Sequence, residues 1–341
     1  MRRRSRITAW ASPTPEREST SSASGKSTEG DHLPGATLSG QPAPHHDDPL
    51  EPVAHEIVTT WPPGTFVENL APLPDGDFVV SLHSRRELAR VHPDGSWSTL
   101  ANLPVSPVGI VVDGDRLVVG GGEIATTPQT VFTVGLDGRV QPLVEVPDSL
   151  FLNGFTPAHA GFVYCVDSLL GVVFEIDLAR ASAHVVLRHD LLGKVSADPM
   201  MPGVNGIALG DDALWLTNTD RAVVLRAGLG ADGLDGSIDV AAEHLRGDDI
   251  ALDEHGSVYV TTHIHNTLVR LDPDGRRVAL AGPEQGMHGA TACAFGVGAE
   301  DTALYVTTTG GILKPVDDVP REAKLVRLDV AVRGRPLTVR P

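Results

Sequence analysis

Residues 69–83 read NLAPLPDGDFVVSLH: an apolar run, an Asp-Gly turn, and a second run rich in β-formers. Asp-Gly between two such runs is a strong short-range signal for a β-hairpin. The phrase returns as GIVVDGDRLVVGG at 109–121, GFTPAHAGFVYCVDS at 154–168 and GIALGDDALWLTNTD at 206–220. It returns again as DIALDEHGSVYVTTH at 249–263 and ACAFGVGAEDTALYVTTTGG at 292–311, which makes six copies. A third run follows each copy, as in ELARVHPDG at 87–95 and TLVRLDPDG at 267–275.

No segment between the copies carries a helical period. Strand-only self-similarity at about forty to fifty residues is the signature of a propeller with four strands per blade. Paired β-sandwiches would be as strand-rich but would not repeat one phrase six times. The expected fold is therefore all-β, a six-bladed β-propeller with four strands per blade. The run HEIVTTW at 55–61 precedes the first copy and has no blade of its own. It is expected to join the last blade as its outermost strand, closing the ring and removing its exposed edges.

The chain has 341 residues, 36 of them Gly and 26 Pro, in keeping with many short strands and turns. Its formal net charge is −17. Residues 1–50 carry six basic and six acidic side chains, so the excess negative charge lies in 51–341. A body this acidic repels nucleic acid and anionic lipid and suits a soluble protein or a binder of cations. Residues 1–50, rich in Ser, Thr, Pro, Gly and charge, read as a disordered tail, and 51–341 as one propeller domain. Within the tail, SASGKST imitates a phosphate-binding loop but lacks its first glycine and its preceding strand.

The basic N-terminus lacks the apolar segment of about 7–15 residues that export requires, and no run approaches the ~18 apolar residues of a membrane span. A cytoplasmic location is expected, with no membrane association, as a monomer or small homo-oligomer acting on a small molecule. Cys165 and Cys293 lie inside apolar runs and read as buried thiols, with a single disulfide between them as the alternative.

In a propeller the first strand of each blade lines the axis, and its start faces one mouth. Counting back eight residues from each turn position (Gly76, Gly161, Ala213, Gly256) gives Glu68, Asn153, Asn205 and Asp248. Blade two offers Ser106 or Val108 there, and blade six His288 or a neighbour. Two carboxylates and two amide oxygens aimed at one point form a hard-cation site. Calcium, which takes about six to eight oxygen ligands, fits better than zinc or magnesium. On this register Asn153-Gly154 and Asn205-Gly206 are not hairpin turns; their glycines serve close backbone approach near the axis.

Glu68, the two Asn-Gly pairs, DDIALDEHGSVYV and AFGVGAEDTALYVTTTGG together resemble the SMP-30/gluconolactonase/LRE-like six-bladed propellers, over roughly residues 60–330. The resemblance implies one axial calcium held by Glu68, Asn153, Asn205 and Asp248. It places Asp248 in the register of the family's Asp-Gly, with Asp249 replacing the glycine. It implies a lactonase-type hydrolase in which Asp248 activates water or attacks directly. Histidines near the mouth are candidate bases: His83 and His263 end the second strand of blades one and five, His265 lies just beyond, and His288 precedes blade six. Asn218, Asp167 and Thr308 are expected to end the same strand elsewhere and line the rim, and Phe151, His265, His288 and Asn218 to contact substrate. Family members that act on sugar lactones often carry an arginine just before the third-blade asparagine. Phe151 and Leu152 stand there instead, which favours a more apolar lactone or ester. A non-hydrolytic isomerase or cyclase using the same metal, and a non-catalytic binding propeller, are the alternatives.

Overall fold

The computed structural model describes residues 48–230 and 233–336. Each repeated phrase folds into an antiparallel sheet of four strands, and there are six such sheets among the described residues. The alternating Val, Leu, Ile, Tyr and Phe of each phrase suit a pleated surface buried on both sides. The inner strands are Val67–Pro72, Pro107–Asp113, Leu152–Pro157, Val204–Leu209, Ile250–Leu252 and Ala290–Phe295. The turn of each phrase leads into a second strand: Phe78–Leu82, Arg116–Gly121, Phe162–Asp167, Ala213–Asn218, Val258–Thr262 and Ala303–Thr308.

The sixth sheet runs Ala290–Phe295, Ala303–Thr308, Ala323–Asp329 and then His55–Trp61, so residues from the start of the described chain supply its outermost strand. Trp61, 1% exposed, anchors that strand in the apolar layer between blades six and one. Glu51 N donates to Ala279 O and Ala279 N to Pro49 O, adding residues 49–51 to the edge of blade five. The expectations for residues 1–47, including the SASGKST motif, lie outside the described residues.

Six apolar clusters fill the spaces between successive blades; Ala71, Val79, Leu88, Ile110 and Val119, for example, pack blade one on blade two. Each large side chain so buried stabilises by about 1.5–3 kcal/mol. Cys165 and Cys293 are buried in these layers as free thiols.

The inner strands share an irregularity. Pairing with the second strand lapses between Val67 and Leu70, Pro107 and Ile110, Leu152 and Phe155, Val204 and Ile207, and Ala290 and Cys293. In blade five the named inner strand starts only at Ile250, after the equivalent two residues. Hydroxyls on the second strand fill several gaps. Thr217 Oγ1 accepts from Gly206 N at 2.8 Å and donates to Asp248 O of the next blade at 2.8 Å. Ser81 links Asn69 N to Val108 O, and Thr261 links Asp249 N to Thr291 O. Thr291 Oγ1 donates to Val67 O at 2.7 Å, joining blade six to blade one.

Truncation through Trp61 should expose the Ala323–Asp329 edge and remove the Trp61 anchor, abolishing cooperative thermal unfolding and producing aggregates on size exclusion. Thr261→Val, which leaves Asp249 N and Thr291 O without their hydroxyl partner, should lower stability by about 1–3 kcal/mol in urea denaturation.

Candidate active site at the head of the channel

The gaps in the inner strands are what aim side chains at the axis. Counting by strand register, the first residue of each gap is Glu68, Val108, Asn153, Asn205, Asp248 and Thr291. Glu68, Asn153, Asn205 and Asp248 line one cavity of about 10 Å³, together with Asn69, Gly206, Asp249 and Thr291. That volume is about what one water-sized sphere needs. The ambiguity in blade two resolves to Val108, and in blade six the axial position belongs to Thr291 rather than His288.

Hydrogen bonds tie the cluster into a row. Asn153 Nδ2 donates to Asn205 Oδ1 at 2.5 Å, and Asn205 Nδ2 donates to Asp248 Oδ1 at 2.5 Å and Thr219 Oγ1 at 2.9 Å. Asp248 Oδ2 lies 3.2 Å from His263 Nδ1, and His263 Nε2 lies 3.2 Å from Thr309 Oγ1. The second residue of the gap explains the Asn-Gly pairs. A Cβ on Gly154 would fall 2.6 Å from Asn205 O, and one on Gly206 would fall 2.6 Å from Asp249 Cα. Neither glycine has a positive φ, so neither forms the type I′ turn that the dipeptide commonly signals.

Asp249, which lines the same cavity, adds a third carboxylate. Burial raises the Glu68 carboxyl well above the ordinary range, and the like charges of Asp248 and Asp249 raise it further. Burial pushes Asp249 up to about 7; Asp248 adds to this, while the N–H groups of Ile250 and Cys293 oppose it. Three carboxyl groups in a shared cavity, beside two amide side chains, suit a divalent cation with oxygen ligands. The set contains no thiolate and only one adjacent imidazole, which argues against zinc. Among the described residues, no group of three or more His, Cys, Asp and Glu has metal-ligating geometry; the donor set depends on its asparagines.

His83 and His263 stand in the same register of blades one and five, with the Phe66 ring 5.7 Å from each imidazole. His83 Nδ1 contacts Pro107 O at 3.1 Å, which fixes Nδ1 as the donor and leaves Nε2 as the basic nitrogen. Burial, partly offset by the Pro107 carbonyl, lowers the His83 pKa. Phe66 is an unforeseen member of the site; Phe151, in the equivalent position of blade three, is buried at 7% exposure.

Asn218, Asp167 and Thr308 end their second strands as expected, but their side chains do not stand where His83 and His263 do. The Asn218 amide is fully buried and donates to the Leu191, Leu192 and Gly193 carbonyls, so it holds that turn. Asp167 likewise accepts from Ser149 Oγ and Leu150 N, and Thr308 Oγ1 from Lys324 N. The residues matching His83 and His263 are one position further on: Ser168, Thr219 and Thr309. A strand has period two, so this single step reverses the direction of the side chain.

His265 lies in the turn at residues 263–266. His288 is buried beside Gly311, and burial, with Arg321 and Lys324, lowers its pKa. A cation unforeseen in the sequence, Arg246, occupies the blade-five position equivalent to Phe66 and Phe151, with Nη1 3.9 Å from Met201 Sδ.

Among the described residues, no helix is long and apolar enough to cross a membrane. No curated protein sequence matches the chain. Solved structures share the architecture. A calcium-binding protein, regucalcin, from Agrobacterium tumefaciens aligns at TM-score 0.65 and 17% identity, over 86% of this chain and 98% of its own. A luciferin-regenerating enzyme aligns at 0.64 and 14%, over 85% and 100%. A gluconolactonase from Xanthomonas campestris aligns at 0.60 and 15%, over 87% and 99%. At these identities the likeness speaks for the fold. Residues 53–310 match the SMP-30/Gluconolactonase/LRE-like region. With that match spanning most of the chain, and with six blades closing around one axial cluster, the protein belongs to the SMP-30/gluconolactonase/LRE-like family.

Proposed function

We propose that the protein is a calcium-dependent hydrolase, a lactonase or esterase acting on a fairly apolar small molecule at the head of the channel. The observation that carries this reading is the meeting of Glu68, Asn153, Asn205 and Asp248 in one cavity, with His263 against Asp248. Family membership supports the same class of reaction.

Glu68 and Asp248 would hold the ion through carboxylate oxygens, and Asn153 and Asn205 through amide oxygens. When bound, calcium supplies Lewis-acid polarisation of the ester carbonyl and stabilises the negative charge that develops on its oxygen. Asp248 orients the imidazole of His263, accepting from Nδ1–H and leaving Nε2 to receive the proton of an attacking water. The Thr309 hydroxyl lies 3.2 Å from the same Nε2 and gives way to the attacking water when substrate binds. His83, neutral through burial and fixed by Pro107, presents a second basic nitrogen. The Phe66 ring, 5.7 Å from each imidazole, offers an apolar surface to the substrate. His265 and His288 would contact substrate, and Phe151, buried at 7% exposure, would contribute mainly through packing.

Stripping divalent ions with a chelator should abolish turnover, and added calcium should restore it; full turnover by metal-free protein would sink the reading. Glu68→Gln and Asn153→Ala should each weaken calcium binding by about 10–100-fold in calorimetry, with activity falling in step. His263→Gln should lower kcat by about 10²–10⁴-fold with KM little changed. In a substrate panel run in heavy-oxygen water, aromatic or aliphatic lactones should react ahead of gluconolactone, with one solvent oxygen entering the product. Product without heavy oxygen would instead identify an isomerase or cyclase.

A further inference from the structure

The channel continues past the axial cluster. Beyond Asn69 and Asp249, which line both spaces, it opens into a second chamber of about 580 Å³ on the face that carries the turns of the repeated phrase. That volume lies within the ~300–1,000 Å³ range of small-molecule pockets. The first ring of its wall is Leu70, Ile110, Phe155, Ile207, Ile250 and Cys293, one residue from each inner strand. The next ring is alanine in four blades, at Ala71, Ala208, Ala251 and Ala294. Larger side chains there would close the channel; alanines leave it open.

A strap, Arg333–Pro336, lies along the rim of this chamber. Gly334 N donates to Asp301 O at 2.8 Å, Arg335 N to Leu252 O at 2.9 Å, and Glu254 N to Arg333 O at 2.9 Å. A Cβ on Gly334 would fall 2.3 Å from Phe295 Cβ, so the strap rests directly on that side chain. Arg333 pairs with Asp301 and Arg335 with Asp211, which neutralises both guanidinium groups at the rim. The inner end is polar: Asn69 Oδ1 accepts from Leu70 N, so its NH2 group is the amide's remaining donor, and Asp249 supplies carboxyl oxygens.

We propose that this chamber is a second ligand site, for a compact, uncharged, apolar molecule bearing one hydroxyl. The hydrocarbon would pack against the Leu70 ring, and the hydroxyl, donor and acceptor at once, would meet Asp249 and Asn69. The site is distinct from the mouth where Phe66, His83 and His263 meet and does not depend on hydrolysis there.

The test uses 1-naphthol titrated into the full-length protein by calorimetry, with a crystal soak to locate it. Wild type should bind one equivalent, and the soak should place it among the inner-strand rings. Ala251→Trp and Ala294→Trp, which fill the chamber from different blades, should each weaken binding by at least about tenfold. Their melting curves should show that they fold, and naphthalene, lacking the hydroxyl, should bind about tenfold more weakly. Glu68→Gln should keep 1-naphthol affinity within about twofold, because Glu68 does not line the chamber, so failure of the hydrolytic reading is told apart from failure of this one. Absence of one-to-one binding, undiminished binding in a folded filling variant, or 1-naphthol found elsewhere in the soak would overturn the proposal.

Discussion

In five blades the inner strand releases its neighbour for two residues, and in blade five it forms only beyond the same two positions. The remainder of the molecule is arranged around those gaps. An unpaired backbone group in a dry interior costs about 1–3 kcal/mol, so each gap needs a partner from outside the ladder. Ser81, Thr217 and Thr261 supply it, and the same hydroxyls reach the next blade's carbonyl. Local repair of the strand and stacking of the blades are thus one interaction. The gap also turns its first side chain toward the axis, which a regular ladder would not do.

What gathers there is charge of one sign. Glu68 and Asp249 are pushed toward the protonated form by burial and by Asp248. Such a cluster is costly without a counter-ion, and the amide–carboxylate row from Asn153 to His263 relieves only part of the cost. A cation at this point would replace repulsion with attraction.

The same scaffold builds two unlike spaces along one axis. At the head, residues preceding the inner strands and following the second strands bring in Phe66, His83, His263 and Arg246. Further down, three successive residues of each inner strand make an apolar chamber. Asn69 and Asp249 divide the two, so a change at either position would be felt on both sides.

The sequence by itself determined the repeat, the strand order within each blade and the register of Glu68, Asn153, Asn205 and Asp248. These follow from spacing along the chain: a fixed offset from a turn is a fixed place on a blade. The reading slipped where a count of one residue decides direction, as between Asn218 and Thr219, because alternate residues of a strand face opposite ways. Only the tertiary structure decided that Phe66 packs near histidines of blades one and five, that Asp249 joins the cluster, and that four alanines leave a chamber open. Each depends on distances between strands far apart in the chain, which are set by how six blades pack in a ring.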